Sequence, residues 1–594
     1  MIVSVTVTVA HARRAPLVAY PFVAALSLAA VSLAGCGRAE RAATAPAAIA
    51  TESEVPRFQG LGTHTRPVTT ASKDAQAYFD QGLNFLFAFN HDEAIRSFRR
   101  AAVIDPACAM AWWGVAIANG PHINNPLVTP ERAAAAFEAV GRARAAAANA
   151  SAKPTEVERA LIEALGARYA DPNAAGPSQG TPQGAAPPPG DRTALDHAYA
   201  NAMRSLWRSH PKDADIGALF AESLMDLRPW DLWTPDSKPQ PGTDEVLATL
   251  ESVLAIAPTH PLALHLTIHA LEMSTTPEKA DTAADRLREL TPGLGHLVHM
   301  PSHIDVRRGR WVQAMTANEK AMEADRRYNA QVPRQGFYGL YISHNHHMFA
   351  YAAMMVGQSG AALKAIDAMV ARMPEEWKRE YSAIADGFSA MPLEVRMRFG
   401  KWEEILAAPE PPQHLPIARA MRLYARGVAL AATGKPTEAR AEQKAFETAR
   451  AAVPAEAQFG NNTGAGILTV AAHLLEGEIA YREGKVDDGL AAMRKGVAAE
   501  DGLRYDEPPD WILPVRHALG AALLQSGKHS EAETVFRDDL KRLPDNGWSL
   551  FGLGRALRLQ KKDKEATDVE ARFKNIWSGA DIELKSSCFC QPGV

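Results

Sequence analysis

Cysteine is scarce: four residues in a chain of 594. So sparse a set cannot staple a chain of this size, which excludes a disulfide-framed scaffold. An excess of one charge is also missing. Lys and Arg number 64, Asp and Glu 68, and the formal net charge is −4 with the two signs interspersed. Nucleic acid would need a concentrated basic stripe, so no nucleic-acid partner is expected. Beyond the first 35 residues no apolar run approaches the ~20 residues that span a bilayer. Strand-like alternation is absent. So are HExxH, a Gly-x-Ser-x-Gly elbow and a phosphate-cradling glycine loop, and no known catalytic signature names a reaction. What is present is a chain 47% hydrophobic, ample for a long continuous core.

The first residues carry a signal. Arg13 and Arg14 precede an apolar run from Ala15 to about Ala34, which ends in Leu33-Ala34-Gly35-Cys36. A positive flank, an apolar stretch and small residues at the cut describe an export signal over residues 1–35. The cysteine after the small residues resembles the bacterial lipobox, in which the thiol is lipidated and becomes the new N-terminus. That resemblance implies lipidation at Cys36 and anchoring to the cell envelope. Gly37 rather than Asp at the next position implies the outer membrane, facing the periplasm. Residues 36–70, rich at first in Ala, Thr, Arg and Glu, read as a flexible tether.

A period organises the rest. In a unit starting at Ala75, Gly82, Phe85, Ala94, Phe98, Ala101 and Pro106 fall at positions 8, 11, 20, 24, 27 and 32. Leu519-Gly520, Ala532, Phe536 and Pro544 repeat the frame near the C-terminus, and Gly554 follows Gly520 by 34 residues. Gly427 with Ala439, and Gly477 with Gly489, mark further units. Small residues at these points let helices approach, and large ones between them fill a core. The pattern resembles the tetratricopeptide repeat, two antiparallel helices in 34 residues. GHLVHMPSH at 295–303, HDEAIRSFRRAA at 91–102 and CAMAWWG at 108–114 further resemble bacterial tetratricopeptide lipoproteins of undefined function. The likeness covers most of residues 75–570. It implies an all-α fold, a right-handed solenoid of helix pairs with irregular insertions, and no established reaction.

The expected order is N-terminal units over 71–170, a Pro/Gly-rich loop at 171–193, central units over 194–380, C-terminal units over 381–575 and a tail at 576–594. Within the central units, RPWDLWTPDSKPQPG at 228–242 reads as an ordered insertion, because Trp230 and Trp233 favour burial. In the tail, Cys588-Phe589-Cys590 reads either as a frayed end or as a soft-metal or cross-linking pair.

Histidine is concentrated. Nine of the 19 histidines lie between residues 260 and 347. The repeat frame places them. Pro258 and Pro292 both take position 32, so one unit runs over 261–294 and the next over 295–328. His265 and His269 are then positions 5 and 9 of the first unit, and His299 and His303 are positions 5 and 9 of the second. A third unit from Ser343 puts His344 at position 2 and His347 at position 5. His296 is also position 2, and Glu272 is position 12. Positions 2, 5, 9 and 12 share one helix face. In tetratricopeptide proteins that face lines the concave groove. Packed helix axes lie roughly 8–10 Å apart, close enough for neighbouring helices to share an ion. The candidate metal ligands are therefore His265, His269, Glu272, His296, His299, His303, His344 and His347. Imidazole with a carboxylate suits zinc, copper or iron. His260 and His346 fall off the face. Met300 and Met348 flank the ligands and read as core before copper ligands. Glu222 and Asp226 read either as an extension of the polar groove or as solvated acids. The tetratricopeptide carboxylate clamp wants Lys and Asn at positions 5 and 9, and histidine stands at both here.

Three readings follow. One is a metal-binding envelope protein, a metal-dependent hydrolase or oxidoreductase if it catalyses. A second is a scaffold holding a protein or peptide in the groove. A third is a metal-handling protein.

Overall fold

The computed structural model describes residues 55–149, 153–172, 191–333 and 336–591. Cys36 and most of the 171–193 loop lie outside them. Within them the chain is built from helices, joined by one two-stranded hairpin that pairs Gln458–Phe459 with Asn462–Thr463. The sequence carried no sign of that hairpin. No helix of the described residues is long and apolar enough to cross a membrane.

The 34-residue frame has a visible physical cause. The helix Lys73–Phe87 packs antiparallel on His91–Ile104, and the ring of Phe98 fills the crossing. A Cβ on Gly82 would fall 2.7 Å from Phe98 Cδ1, and Gly114 on the following helix meets the same ring from the other side. Phe536 sits in the same way between Gly520 and Gly552. A large ring flanked by two residues without side chains is therefore the unit of packing. Helix starts are fixed locally. Ser72 accepts from Ala75 N at 3.3 Å, and Thr155 with Glu158 forms a reciprocal capping box.

Residues 55–70, expected as part of a loose tether, are instead strapped along the first helices. Tyr78 Oη donates to Val55 O at 2.8 Å, and Arg66 Nη1 donates to both Asp213 and Asp215 at 2.9 Å. Polar groups in this strap find partners on three separate helices, which outweighs the composition bias towards a linker. The tail is likewise packed. The Asp581 carboxylate accepts from Ser359 N and Gly360 N at the start of the helix Ser359–Ala371, and Cys588 is bonded to Cys590.

One apolar cluster runs from Phe79 to Ile342 and a second from Val306 to Cys590. The C-terminal helices turn back onto the middle of the chain. Trp311 Nε1 donates to Pro544 O at 2.9 Å, and Trp548 Nε1 donates to Met354 O at 2.7 Å. The fold-back also brings the 504–507 segment beside the histidine-bearing helices, where Arg307 lies over the Tyr505 ring at 5.6 Å.

Candidate metal centre

Three stretches of helix carry the cluster. Pro261–Glu272 brings His265, His269 and Glu272; Gly295–His299 and Pro301–Arg307, nearly continuous through Met300, bring His296, His299 and His303; Gly339–Met355 brings His344 and His347. The shared face holds, but no open groove results. His265 and His299 are 0% exposed, His296 and His303 1%, and His269 5%. Aromatic rings occupy the expected groove, two from distant segments and one, Tyr341, from the helix that carries His344. Phe89 stands with its ring centroid 4.4 Å from His265, Trp230 5.4 Å from His269 and Tyr341 4.4 Å from His296. The concave surface is filled because it is lined by flat rings that other rings pack against.

The histidines divide into two triads. His265, His269 and His296 form one, and His299, His303 and His344 the other; the ligand-capable atoms of each triad lie within 4.8 Å of one another. His347 joins neither. Three residues beyond His344, it is turned towards Phe388, with ring centroids 5.9 Å apart, and burial takes its pKa down to about 3.

The outer nitrogens are anchored. His265 Nδ1 lies 2.9 Å from Phe87 O, and His299 Nδ1 lies 2.6 Å from Asn318 Oδ1. Asn318 is oriented by its own Nδ2, which donates to Ala314 O at 2.8 Å. Glu272 serves two rings: Oε1 is 2.8 Å from His269 Nδ1, and Oε2 is 2.5 Å from His303 Nδ1. A carbonyl, an amide oxygen and a carboxylate can only accept, so each of these four Nδ1 atoms carries the proton. In the neutral form of each ring, Nε2 then carries a lone pair. His265 Nε2 lies 3.1 Å from His296 Nε2, and His299 Nε2 lies 2.7 Å from His303 Nε2. Two nitrogens bound to one ion at about 2.0–2.1 Å would be roughly 3 Å apart. Glu272 was expected as a ligand; with both oxygens engaged by imidazole N–H groups, it stands behind the rings instead. His269 Nε2 and His296 Nδ1 are buried and have no protein partner.

Burial dominates the electrostatics. It holds His265, His296, His299 and His344 well below the usual imidazole range. His303 goes the other way: burial lowers it, but the charge and hydrogen bond of Glu272 outweigh that and raise it. Glu272 itself is drawn down to about 2 against burial, by His303 and then His269.

Several neighbours carried no sequence signal as parts of a site. His91 and His122 stand 4.2 Å apart between ring centroids, and Phe89 separates them from His265. Tyr505 donates to Glu507 Oε2 at 2.7 Å, and burial pushes Glu507 up to about 7 while His303 pulls it down. His91 was visible only as part of a repeat motif, and Glu507 arrives by long-range packing. Elsewhere, His260 caps the Pro261–Glu272 helix through Nδ1 and faces Asp215 through Nε2 at 3.1 Å. Glu222 and Asp226 are buried near Arg168 and are not solvated. Met300 and Met348 are fully buried core residues. Trp233 Nε1 donates to Ala270 O at 2.8 Å, tying the 228–242 insertion to the histidine-bearing helix. A cavity of about 10 Å³, close to a single water, reaches His269 and Glu272 past Trp230 and Arg228.

No family model matches the chain, and no curated protein matches it. Among solved structures, the human IFIT1 dimer with m7Gppp-AAAA aligns at a TM-score of 0.32 and 12% identity, over 85% of this chain and 91% of that one. The APC/C hetero-tetramer Cut9–Hcn1 aligns at 0.29 and 13%, over 84% and 76%. By its own succession of ring-and-glycine helix pairs, the chain has an all-α, tetratricopeptide-like fold with irregular insertions.

Proposed function

We propose that this helical repeat protein binds transition metal in its interior, through the triads His265/His269/His296 and His299/His303/His344. The observation that carries the reading is the anchoring of four Nδ1–H groups on oxygen, which leaves Nε2 lone pairs converging in a buried space. Histidines that hold a metal are oriented in this way, the second nitrogen donating to a carbonyl or carboxylate. Three imidazoles per triad, with no direct carboxylate, suit zinc, copper or iron better than magnesium or calcium. Burial disfavours imidazolium, and neutral imidazole is the form that binds metal. Anchoring to the envelope through Cys36 belongs to the same reading and rests on the sequence alone.

Elemental analysis tests it. Chain purified after supply with zinc, copper and iron should retain stoichiometric metal, and the variant His269→Ala/His303→Ala should lose it while keeping its helical circular dichroism. Wild-type chain that retains none of the three would sink the reading. The scaffold alternative then takes the lead, but its partner could not sit on the histidines, since they are covered.

A further inference from the structure

A second donor cluster lies far from the histidine triads along the chain, where the tail meets the C-terminal helices. Cys588 Sγ, Cys590 Sγ and a Glu478 carboxylate oxygen lie within 4.8 Å of one another. They border a cavity of about 30 Å³, room for one ion with a water, whose wall also includes Met397, Arg398 and His517. Several wall groups lack protein partners although buried. His517 is 1% exposed; its Nε2 faces Asp539 Oδ2 at 2.9 Å, and its Nδ1 has no partner. Glu478 is also 1% exposed; Gln591 Nε2 donates to Oε2, and Oε1 has no partner. Arg398 is 4% exposed, lies over the Trp548 ring at 4.5 Å, and its Nε has no partner. Burial lowers Arg398 to about 10, so it remains a cation at neutral pH. Asp539 supplies that cation with one negative neighbour, and the neutral disulfide adds none. An unpartnered buried polar group is costly, and several around one small space point to an occupant.

We infer that the reduced Cys588-Phe589-Cys590 pair is a binding site for one Cu(I) ion, closed when the two sulfurs are joined. The donor set is soft: two thiols, with the thioether of Met397 and the imidazole of His517 on the same wall, and soft sulfur selects Cu(I). Opening the site takes two equivalents of an external thiol. The Cys588–Cys590 bond breaks, the external thiols join as a disulfide, and both chain sulfurs become thiols. Cu(I) then displaces one proton from each. The resulting bis-thiolate complex carries a net charge of −1 and shares its cavity wall with the Arg398 cation. Cys108 does not compete: it is fully buried in the N-terminal core, and burial pushes its thiol up to about 11.

The test uses the full chain and Cu(I) supplied anaerobically as its acetonitrile complex, with and without prior reduction by excess thiol. The reduced chain should bind one more copper per chain than the oxidised chain, with copper–sulfur scattering in its X-ray absorption spectrum. Cys588→Ser/Cys590→Ser should remove the extra ion and the sulfur signal. Equal copper in oxidised and reduced wild type overturns the inference, as does sulfur scattering that survives the double substitution. A pair that stays oxidised under excess thiol overturns it too. If the double variant does not fold, the comparison of oxidised with reduced wild type decides. The histidine triads would contribute nitrogen scattering that is indifferent to the cysteines, so the two proposals fail separately.

Discussion

His299 and His303 face each other through Nε2 atoms 2.7 Å apart, one helical turn from each other, with the opposite nitrogen of each ring committed as a donor. Two bare lone pairs at that distance repel. Something positive must lie between them, either a proton or a metal ion. The carboxylate behind His303 favours both, since it raises the basicity of that ring.

Glu272→Gln should therefore weaken metal binding without unfolding the protein. The amide keeps one acceptor but turns a donor towards the second ring, so either His269 or His303 loses its anchor. Outer-shell changes of this kind cost about 10–100-fold in metal affinity. Competition against a chelator of known affinity measures it, and an unchanged affinity would show that Glu272 does not orient the rings.

Phe89 is the wedge between the N-terminal helices and the first triad. It is 1% exposed and holds φ at 56°. Phe89→Ala should cost about 3–5 kcal/mol from the lost ring. Phe89→Gly loses the same ring but relieves the left-handed backbone, so it should be more stable than the Ala variant by about 1 kcal/mol. Urea unfolding of the three proteins measures this; an Ala variant as stable as wild type would mean that the ring is not packed as described.

Glu394 is buried with both carboxylate oxygens lacking partners, and burial raises its pKa from 4.5 to about 8. The folded chain therefore holds a proton that the unfolded chain releases. This contribution to stability is complete below about 4.5 and is lost as pH rises towards about 8. Glu394→Gln mimics the protonated form and removes the penalty. Its melting temperature relative to wild type should rise steadily between pH 5 and pH 8. A difference that stays flat over that range would show that Glu394 is ionised in the folded protein.

If the lipobox-like ending at Cys36 marks an anchor, as proposed, Cys36→Ser should release the mature chain from the membrane fraction. Fractionation followed by salt and carbonate washing checks it. A variant that stays membrane-bound through both washes would place the anchor elsewhere.

The helix pairs were legible because Gly82, Phe98 and Gly114, like Gly520 and Phe536, recur at fixed intervals, and a ring between glycines is a local event. The pairing of His265 with His269 and of His299 with His303 was legible for the same reason. A 34-residue frame tells which way a side chain faces, but not what lies opposite. The cover over the first triad comes from Phe89 and Trp230, brought in from loops far off in the sequence, and no periodicity encodes those meetings. Glu272 illustrates the limit. Its position on the ligand face was readable, yet its role behind the rings depends on His303 reaching it from the next unit. The strap at 55–70 was misread as a tether because its composition is that of a linker, while Arg66 finds its two aspartates almost 150 residues away.

The segment around Tyr505 and Glu507 also sets an order of events. Every histidine of the two triads precedes residue 345, whereas Arg504, which donates to Trp230 O, and Tyr505, which lies under Arg307, follow roughly 160 positions later. Under the proposed function, a metal would enter the triads before the 504–507 segment packs beside Trp230 and Arg307. Under that same proposal, its later exchange would need the packing around Trp230 and Arg307 to open, a partial opening rather than global unfolding. Metal content measured in the finished protein would then record the conditions during folding more than those the protein later meets.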